Sequence, residues 1–311
     1  MKRFTVLFLA VFFAACLVAA EQPLRQAYDL VSSNLHIRTA DGCEIVFWSD
    51  VPSGNRDIFA QKINSNGQQL WDEPRALVDE PGDQRLLDVV PTSDNNFIIL
   101  WEEYDIYTIT QLKMQKYTSN GQRLWLEGGV TVSDISTSID TALLVPNNIG
   151  GAFIVFHDYD FPKVIKGQNL DSSGNQLWQA GGINIFSHTD TVVLFEAIKD
   201  NEGGLIINIY QGTQYVNHLL RVNADGLVIA NSMFQASLFP GSYLHIKAFG
   251  TNQILLYNLD FFGHSCTMAK IDYQGNLLTS VVTFPMTPSG QTEDFQLEIL
   301  ADGGLVVAWA K

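Results

Sequence analysis

AQKINSNGQQLW (60–71) returns four times down the chain, as MQKYTSNGQRLW (114–125), GQNLDSSGNQLW (167–178), LLRVNADGLVIA (219–230) and MAKIDYQGNLLT (268–279). A second phrase precedes each copy and closes the series: ADGCEIVFW (40–48), SDNNFIILW (93–101), NIGGAFIVF (148–156), NEGGLIINI (201–209), FGTNQILLY (249–257) and ADGGLVVAW (301–309). The turn glycines Gly67, Gly121, Gly174, Gly226 and Gly275 stand 54, 53, 52 and 49 residues apart. Self-similarity at about 50 residues, carried on short strands, is the spacing of β-propeller blades. All six tryptophans fall at one of two repeat positions, which makes them packing residues first.

Each unit reads as four strands. An inner strand such as Leu35-His36-Ile37-Arg38 or Leu244-His245-Ile246-Lys247 leads into a tight turn on Asp41-Gly42, Gly150-Gly151, Gly203-Gly204 or Gly303-Gly304. The next strand is nearly all apolar (Ile45 to Trp48, Phe97 to Trp101, Ala152 to Phe156), the pattern of a strand buried on both faces. A variable loop and a third strand follow. Then comes a turn in which Asn, Thr or Asp three residues before the glycine bonds its own backbone. The fourth strand is expected to end at Leu70-Trp71, Leu124-Trp125, Leu177-Trp178, Ile229 or Leu278. Six inner hairpins and five outer ones predict an all-β propeller of about six blades, the last incomplete and closed by the N-terminal segment Tyr28-Asp29-Leu30-Val31. A five-bladed ring is the alternative count. No stretch carries a helical period.

Residues 1–20 read as a signal peptide: Lys2 and Arg3, an apolar run from Phe4 to Ala15, and small residues before Glu21. Residues 21–311 then form a single propeller domain, exported to the periplasm or outside the cell, with no membrane span. Phe13-Ala14-Ala15-Cys16 resembles a lipoprotein processing site and is the less favoured alternative, a lipid anchor at Cys16. With 46% hydrophobic and only 16% charged residues the chain fills a core and is not disordered. Its formal charge of −15 argues against nucleic acid as a partner. Cys43 and Cys266 remain after the signal, which is no disulfide framework, and two free thiols are expected.

The Ala-Gln-Lys start and Gly-x-x-Leu-Trp end of residues 60–71 resemble the repeat of secreted bacterial β-propeller proteins of unassigned function, over essentially the whole mature chain. More distantly the phrase is similar to quinoprotein-type propeller repeats, although Ala230 and Thr279 stand where that pattern has tryptophan. The resemblance implies a propeller and no quinone.

Loops after the second strands, pooled, are acidic and aromatic: Asp50; Glu102, Glu103, Tyr104 and Asp105; Asp158, Tyr159 and Asp160; Asp260 and Phe261. Carboxylates beside flat aromatic faces suit a saccharide, and acids that only keep the protein soluble are the plainer account. The inner strands place His36, Arg38, His245 and Lys247 toward a central channel, with Asp88, Glu196 and Glu298 as carboxylates for an alternative catalytic reading. His157, His188, His218 and His264 sit at unrelated repeat positions without metal-ligand spacing, so no metal and no cofactor is expected. The functional expectation is a non-catalytic binding or scaffold module for a protein or glycan, monomeric by default. The alternative is a propeller-type polysaccharide hydrolase or lyase using Asp88, Glu196 and Glu298.

Overall fold

The computed structural model describes residues 35–52, 54–105, 108–133, 139–158, 163–189, 192–211, 216–235, 244–260, 265–285, 294–300 and 303–310. The signal-like segment, the closing segment at 28–31, Tyr159, Asp160 and Phe261 lie outside the described residues.

Each repeat folds as one antiparallel meander. The first sheet is β1 (Leu35–Arg38), β2 (Glu44–Asp50), β3 (Asp57–Ile63) and β4 (Arg75–Val78). The second is β5 (Asp83–Pro91), β6 (Asn96–Asp105), β7 (Thr108–Thr118) and β8 (Val130–Thr131), and the third is β9 (Ile139–Pro146), β10 (Ala152–Asp158), β11 (Lys163–Leu170) and β12 (Ile183–His188). The fourth is β13 (Val192–Lys199), β14 (Leu205–Gln211), β15 (Val216–Val222) and β16 (Val228–Gln235). The fifth is β17 (Leu244–Ala248), β18 (Gln253–Asp260), β19 (Ser265–Asp272) and β20 (Val282–Pro285), and the sixth pairs β21 (Asp294–Ile299) with β22 (Leu305–Ala310). Among the described residues there is no helix. The architecture is an all-β propeller of about five to six blades, of which the described residues form five four-stranded sheets and one two-stranded sheet.

The apolar second strands are explained by what they touch. Along β6, Phe97, Ile99 and Trp101 pack with Ile45, Phe47 and Ile58 of the first sheet, while Ile98 and Leu100 pack with Ile139, Leu144 and Ile154 of the third. The strand serves two cores, so alternation disappears from its sequence. Each fully buried side chain of this kind contributes about 1.5–3 kcal/mol.

Contacts divide the described chain into two compact units, one of residues 35–189 with Asn223–Leu227, the other of residues 192–222 and 228–310. In the second unit Ile206 and Leu219 pack with Leu244, Ile246 and Leu256, and Leu255 packs with Leu297 and Leu305.

The repeated turn behaves as its residues predict. The side-chain oxygen of Asn64 accepts the backbone N–H of Asn66 and Gln68, and Thr118, Asp171, Asn223 and Asp272 do the same in their turns. The fourth strand differs from the expectation. Trp71, Trp125 and Trp178 precede it: Gln69, Arg123 and Gln176 make single bridges to the third strand, and β4, β8 and β12 begin four or more residues after the tryptophan. The intervening turn is held by a buried glutamine. Gln168 Oε1 accepts the N–H of Trp178 at 3.0 Å, and its Nε2 donates to the carbonyl of Gln179 at 2.7 Å. Gln61 and Gln115 hold Trp71 and Trp125 in the same way.

Trp71, Trp125 and Trp178 each lie against the next repeat's turn. The Trp125 indole donates to the carbonyl of Ser172 at 2.9 Å and that of Trp178 to Ala224 at 2.7 Å. A Cβ on Gly174, whose φ is +84°, would stand 2.9 Å from the Trp125 ring. The glycine is therefore required twice, by the turn and by its neighbour.

Candidate functional site

The second strand of every four-stranded sheet ends its apolar run on a buried polar residue: Ser49, Glu102, His157, Tyr210 and Asn258, each 1–2% exposed. A buried polar side chain demands partners, and the first three sheets supply them with different chemistry. Ser49 Oγ accepts the N–H of Leu86 in the following sheet.

The second sheet carries the richest version. Glu102 and Arg85 are register partners on β6 and β5, and the Arg85 guanidinium reaches Glu102 Oε2 at 2.9 Å. The Tyr104 hydroxyl, two residues along the same strand, donates to the same oxygen at 2.7 Å. Glu102 is 1% exposed whereas the Arg85 side chain is 39% exposed, so a buried acid braces a guanidinium that solvent can reach. Glu102 Oε1 and Arg85 Nε have no hydrogen-bond partner among the described residues. Burial and the adjacent Glu102 charge push the Tyr104 phenol up to about 12, so it stays a donor at neutral pH. Beside this cluster Lys113 pairs with Glu103 at 2.6 Å.

The other residues predicted for this end lie as follows. Glu102, Glu103, Tyr104 and Asp105 are not in a loop, because β6 extends to Asp105. Glu102 is an internal support. Asp50, half-buried, ends β2 and accepts the N–H of Val51. Asp158 ends β10 and holds Lys166 at 2.6 Å. Asp260 ends β18, its backbone paired with Ser265.

On the inner strands, carboxylates serve the neighbouring backbone. β9 has β10 on one side only, and Asp88 Oδ2 accepts the N–H of Leu144 from the other at 2.7 Å. Burial pushes the Asp88 carboxyl up, and the N–H groups of Leu144 and Val89 pull it part of the way back. In the second unit Glu196 does likewise: Oε2 accepts the N–H of Ile246 at 2.8 Å, and Oε1 accepts His245 Nδ1–H at 2.6 Å. The His245 ring stacks on Tyr257 with centroids 5.0 Å apart. Lys247 donates to the carbonyl of Leu297 and stands 3.3 Å from Glu298. His36 and Arg38 are exposed on β1.

Two contributors escaped the sequence reading. Arg85 lies outside the pooled loops, and only the register of β5 against β6 puts it opposite Glu102. His157 and His188, scattered in sequence, meet across the third sheet at 3.1 Å. A signal for Glu102 and His157 was available: the residue after each apolar run is polar in all five complete repeats.

No family model matches the chain, and no curated protein matches it. Solved structures do. A protein of unknown function from Dyadobacter fermentans DSM 18053 is similar over 90% of this chain and 93% of its own, with a TM-score of 0.52 and 12% identity. The polysaccharide lyase Uly1 is similar over 89% and 73%, with a TM-score of 0.51 and 10% identity. An ulvan lyase of family PL25, bound to -[GlcA(1-4)Rha3S]-, is similar over 89% and 78%, with a TM-score of 0.52 and 9% identity. These neighbours are all-β propeller-like folds, and at such identities the likeness is one of fold.

Proposed function

We propose that this chain is an exported β-propeller that binds a glycan without transforming it, using the loop ends of its second strands. The observation that carries the reading is the brace at Glu102. One buried carboxylate oxygen fixes an accessible guanidinium and a phenol relative to each other. A guanidinium fork reads carboxylate, sulfate or paired hydroxyls, and a phenol beside it adds a flat apolar face with a polar tip. Such a fixed pair suits a saccharide bearing acidic groups. A propeller of similar fold that binds an acidic sulfated saccharide supports the class of ligand. Export rests on the signal-like residues 1–20, and it would bring the protein to where such glycans are met. A protein ligand is the other partner this surface would suit.

Binding without turnover is supported by the inner strands, where Asp88 and Glu196 are engaged by backbone N–H groups. One observation favours a second reading. Glu196 orients His245 through Nδ1, which leaves Nε2 as the basic nitrogen of a carboxylate–imidazole pair, and a hydrolase or lyase would use it to move a proton.

A screen of acidic and neutral glycans, combined with a reducing-sugar and unsaturated-product assay, separates the two. We expect saturable binding with no product, weakened about tenfold or more by Arg85→Ala at unchanged folding. Product formation abolished by Glu196→Gln would replace the binding module with the enzyme. Binding untouched by Arg85→Ala would remove the Glu102 brace from the ligand site.

A further inference from the structure

We infer that Arg56 is the second guanidinium of the glycan site, and that Arg56 and Arg85 together read one oxyanion substituent of the sugar, a uronate carboxylate or a sulfate ester. The inference rests on the glycan-binding reading above and adds to it a residue and a class of ligand.

Arg56 ends the loop after β2, immediately before β3, so it belongs to the first sheet whereas Arg85 belongs to the second. Its backbone is fixed against the start of β5. The N–H of Gln84 donates to the Arg56 carbonyl at 2.7 Å, and the Arg56 N–H donates to Asp83 Oδ1 at 2.8 Å. Arg85 is the next residue along, and Asp83 stands opposite Tyr104 in the register of β5 with β6. Two arginines from different sheets thus flank one tyrosine. The electrostatics agree. Burial, then the hydrogen bond to Glu102 and its charge, raise the proton affinity of the Tyr104 phenol, and the charges of Arg85 and Arg56 both pull it back.

The neighbouring cations are already committed: Lys62 to Asp41, Lys113 to Glu103, Lys116 to Asp94 and Arg85 to Glu102. Arg56 is half-buried, and among the described residues its guanidinium has no carboxylate within ion-pair distance. Asp83 meets the backbone of Arg56 and not its side chain. A guanidinium that has lost part of its water, with no acid in its place, gains from an arriving anion. Two planar forks held on different sheets can share the oxygens of one carboxylate or sulfate. Asp79 and Asp83 lie at the same end, close enough for their charges to act on buried Asp57. They oppose a run of closely spaced charges, so the ligand is a sugar residue carrying one acidic group rather than a dense polyanion.

The test measures binding of the full chain to a polysaccharide bearing both uronate and sulfate, to its desulfated form, to its carboxyl-reduced form and to the doubly modified neutral form. Arg56→Gln should weaken binding of the doubly acidic polymer about tenfold, with Arg56→Lys in between, and leave the weaker binding of the neutral form and the melting temperature unchanged. Arg123→Gln, an equal change of charge, should alter neither affinity. The modification after which Arg56→Gln no longer matters identifies the group that is read. If Arg85→Ala weakens the acidic polymer and Arg56→Gln does not, the inference is overturned and the glycan reading stands. Equal losses by Arg56→Gln on acidic and neutral forms would have the same meaning. If no polysaccharide binds, the glycan reading falls, and titration with inorganic sulfate and acetate, followed on the arginine Nε–H NMR signals, decides the pair by itself. Saturable shifts of both arginines that are lost in Arg56→Gln keep it, and no saturable shift up to about 50 mM of either anion overturns it.

Discussion

Gln168 shows how one side chain can hold a whole turn. Its carbonyl oxygen accepts the N–H groups of Asn169 and Trp178, and its amide donates to Gln176 and Gln179. Replacement by leucine strands several buried backbone groups and should cost about 2–4 kcal/mol in denaturant unfolding. The fourth and fifth repeats carry Leu220 and Ala269 at this position, and these are the repeats with Ala230 and Thr279 in place of tryptophan. In the fifth, Thr279 Oγ1 itself accepts the N–H of Lys270. Glutamine and tryptophan are thus lost together, and Gln168→Leu should cost distinctly less in a Trp178→Ala background than alone. Equal costs in both backgrounds would show that the clamp and the ring are independent. A second residue makes a pH statement. Burial lowers the basicity of His218, the Asn231 side chain offsets part of this, and Nε2 lies 2.8 Å from Gln211 Oε1. The folded state therefore binds a proton less readily than the unfolded state. Stability is complete above the unfolded value near pH 6.5 and falls as pH drops below it, until folded His218 also protonates. Unfolding midpoints at pH 7.5 and 5.5 should differ less in His218→Gln than in the wild type, and identical differences would refute the assignment.

Between elements, the decisive contact is a tryptophan lying on the glycine of the following turn. Gly174 sits under Trp125, Gly226 under Trp178 and Gly121 under Trp71. Gly42 offers an internal comparison, with φ +78° and nothing within 4 Å of an added Cβ. Gly42→Ala should cost about 1 kcal/mol from its backbone conformation alone. Gly174→Ala adds a clash with the Trp125 ring and should cost about 1–3 kcal/mol more. If the two variants lose equal stability, the indole does not rest on the glycine in solution. Hairpin ends are tied by a different device. Lys62 reaches Asp41 at 2.7 Å, Lys116 reaches Asp94 at 2.5 Å, and Arg221 reaches Asp200 at 2.9 Å. At the same third-strand position Lys270 has the Phe249 ring instead, 3.5 Å from its ammonium to the centroid.

Across the whole molecule, a formal charge of −15 opposes compaction, while Lys116 and Arg221 sit buried in their ion pairs and are screened little by salt. Raising NaCl from about 50 to about 500 mM should therefore raise the melting temperature, since salt weakens the repulsion more than the attractions. A fall would mean that exposed attractive pairs dominate. The propeller was legible because turns and apolar runs are local signals repeated many times: the side-chain acceptors of all five turns could be named from sequence. In the first three repeats the fourth strand begins after the tryptophan: Leu70-Trp71 looks like a strand end, whereas the buried glutamine holding it acts from 10 residues upstream. Ile229 of the fourth repeat does lie in β16. Glu102 and His157 stand at the periodic polar position after the apolar run, but Arg85 and His188 meet them through strand pairing and leave no periodic trace. The tryptophan stacking carries one more implication. The indoles of Trp71, Trp125 and Trp178 lean on the repeat that comes after them, so damage should travel one way: loss of Trp125 loosens the turn at Gly174, and loss of the Gly174 turn leaves the glutamine grip on Trp125 intact. Among these first repeats the array has a mechanical polarity, and amide exchange after a single tryptophan substitution should spread toward the C-terminus.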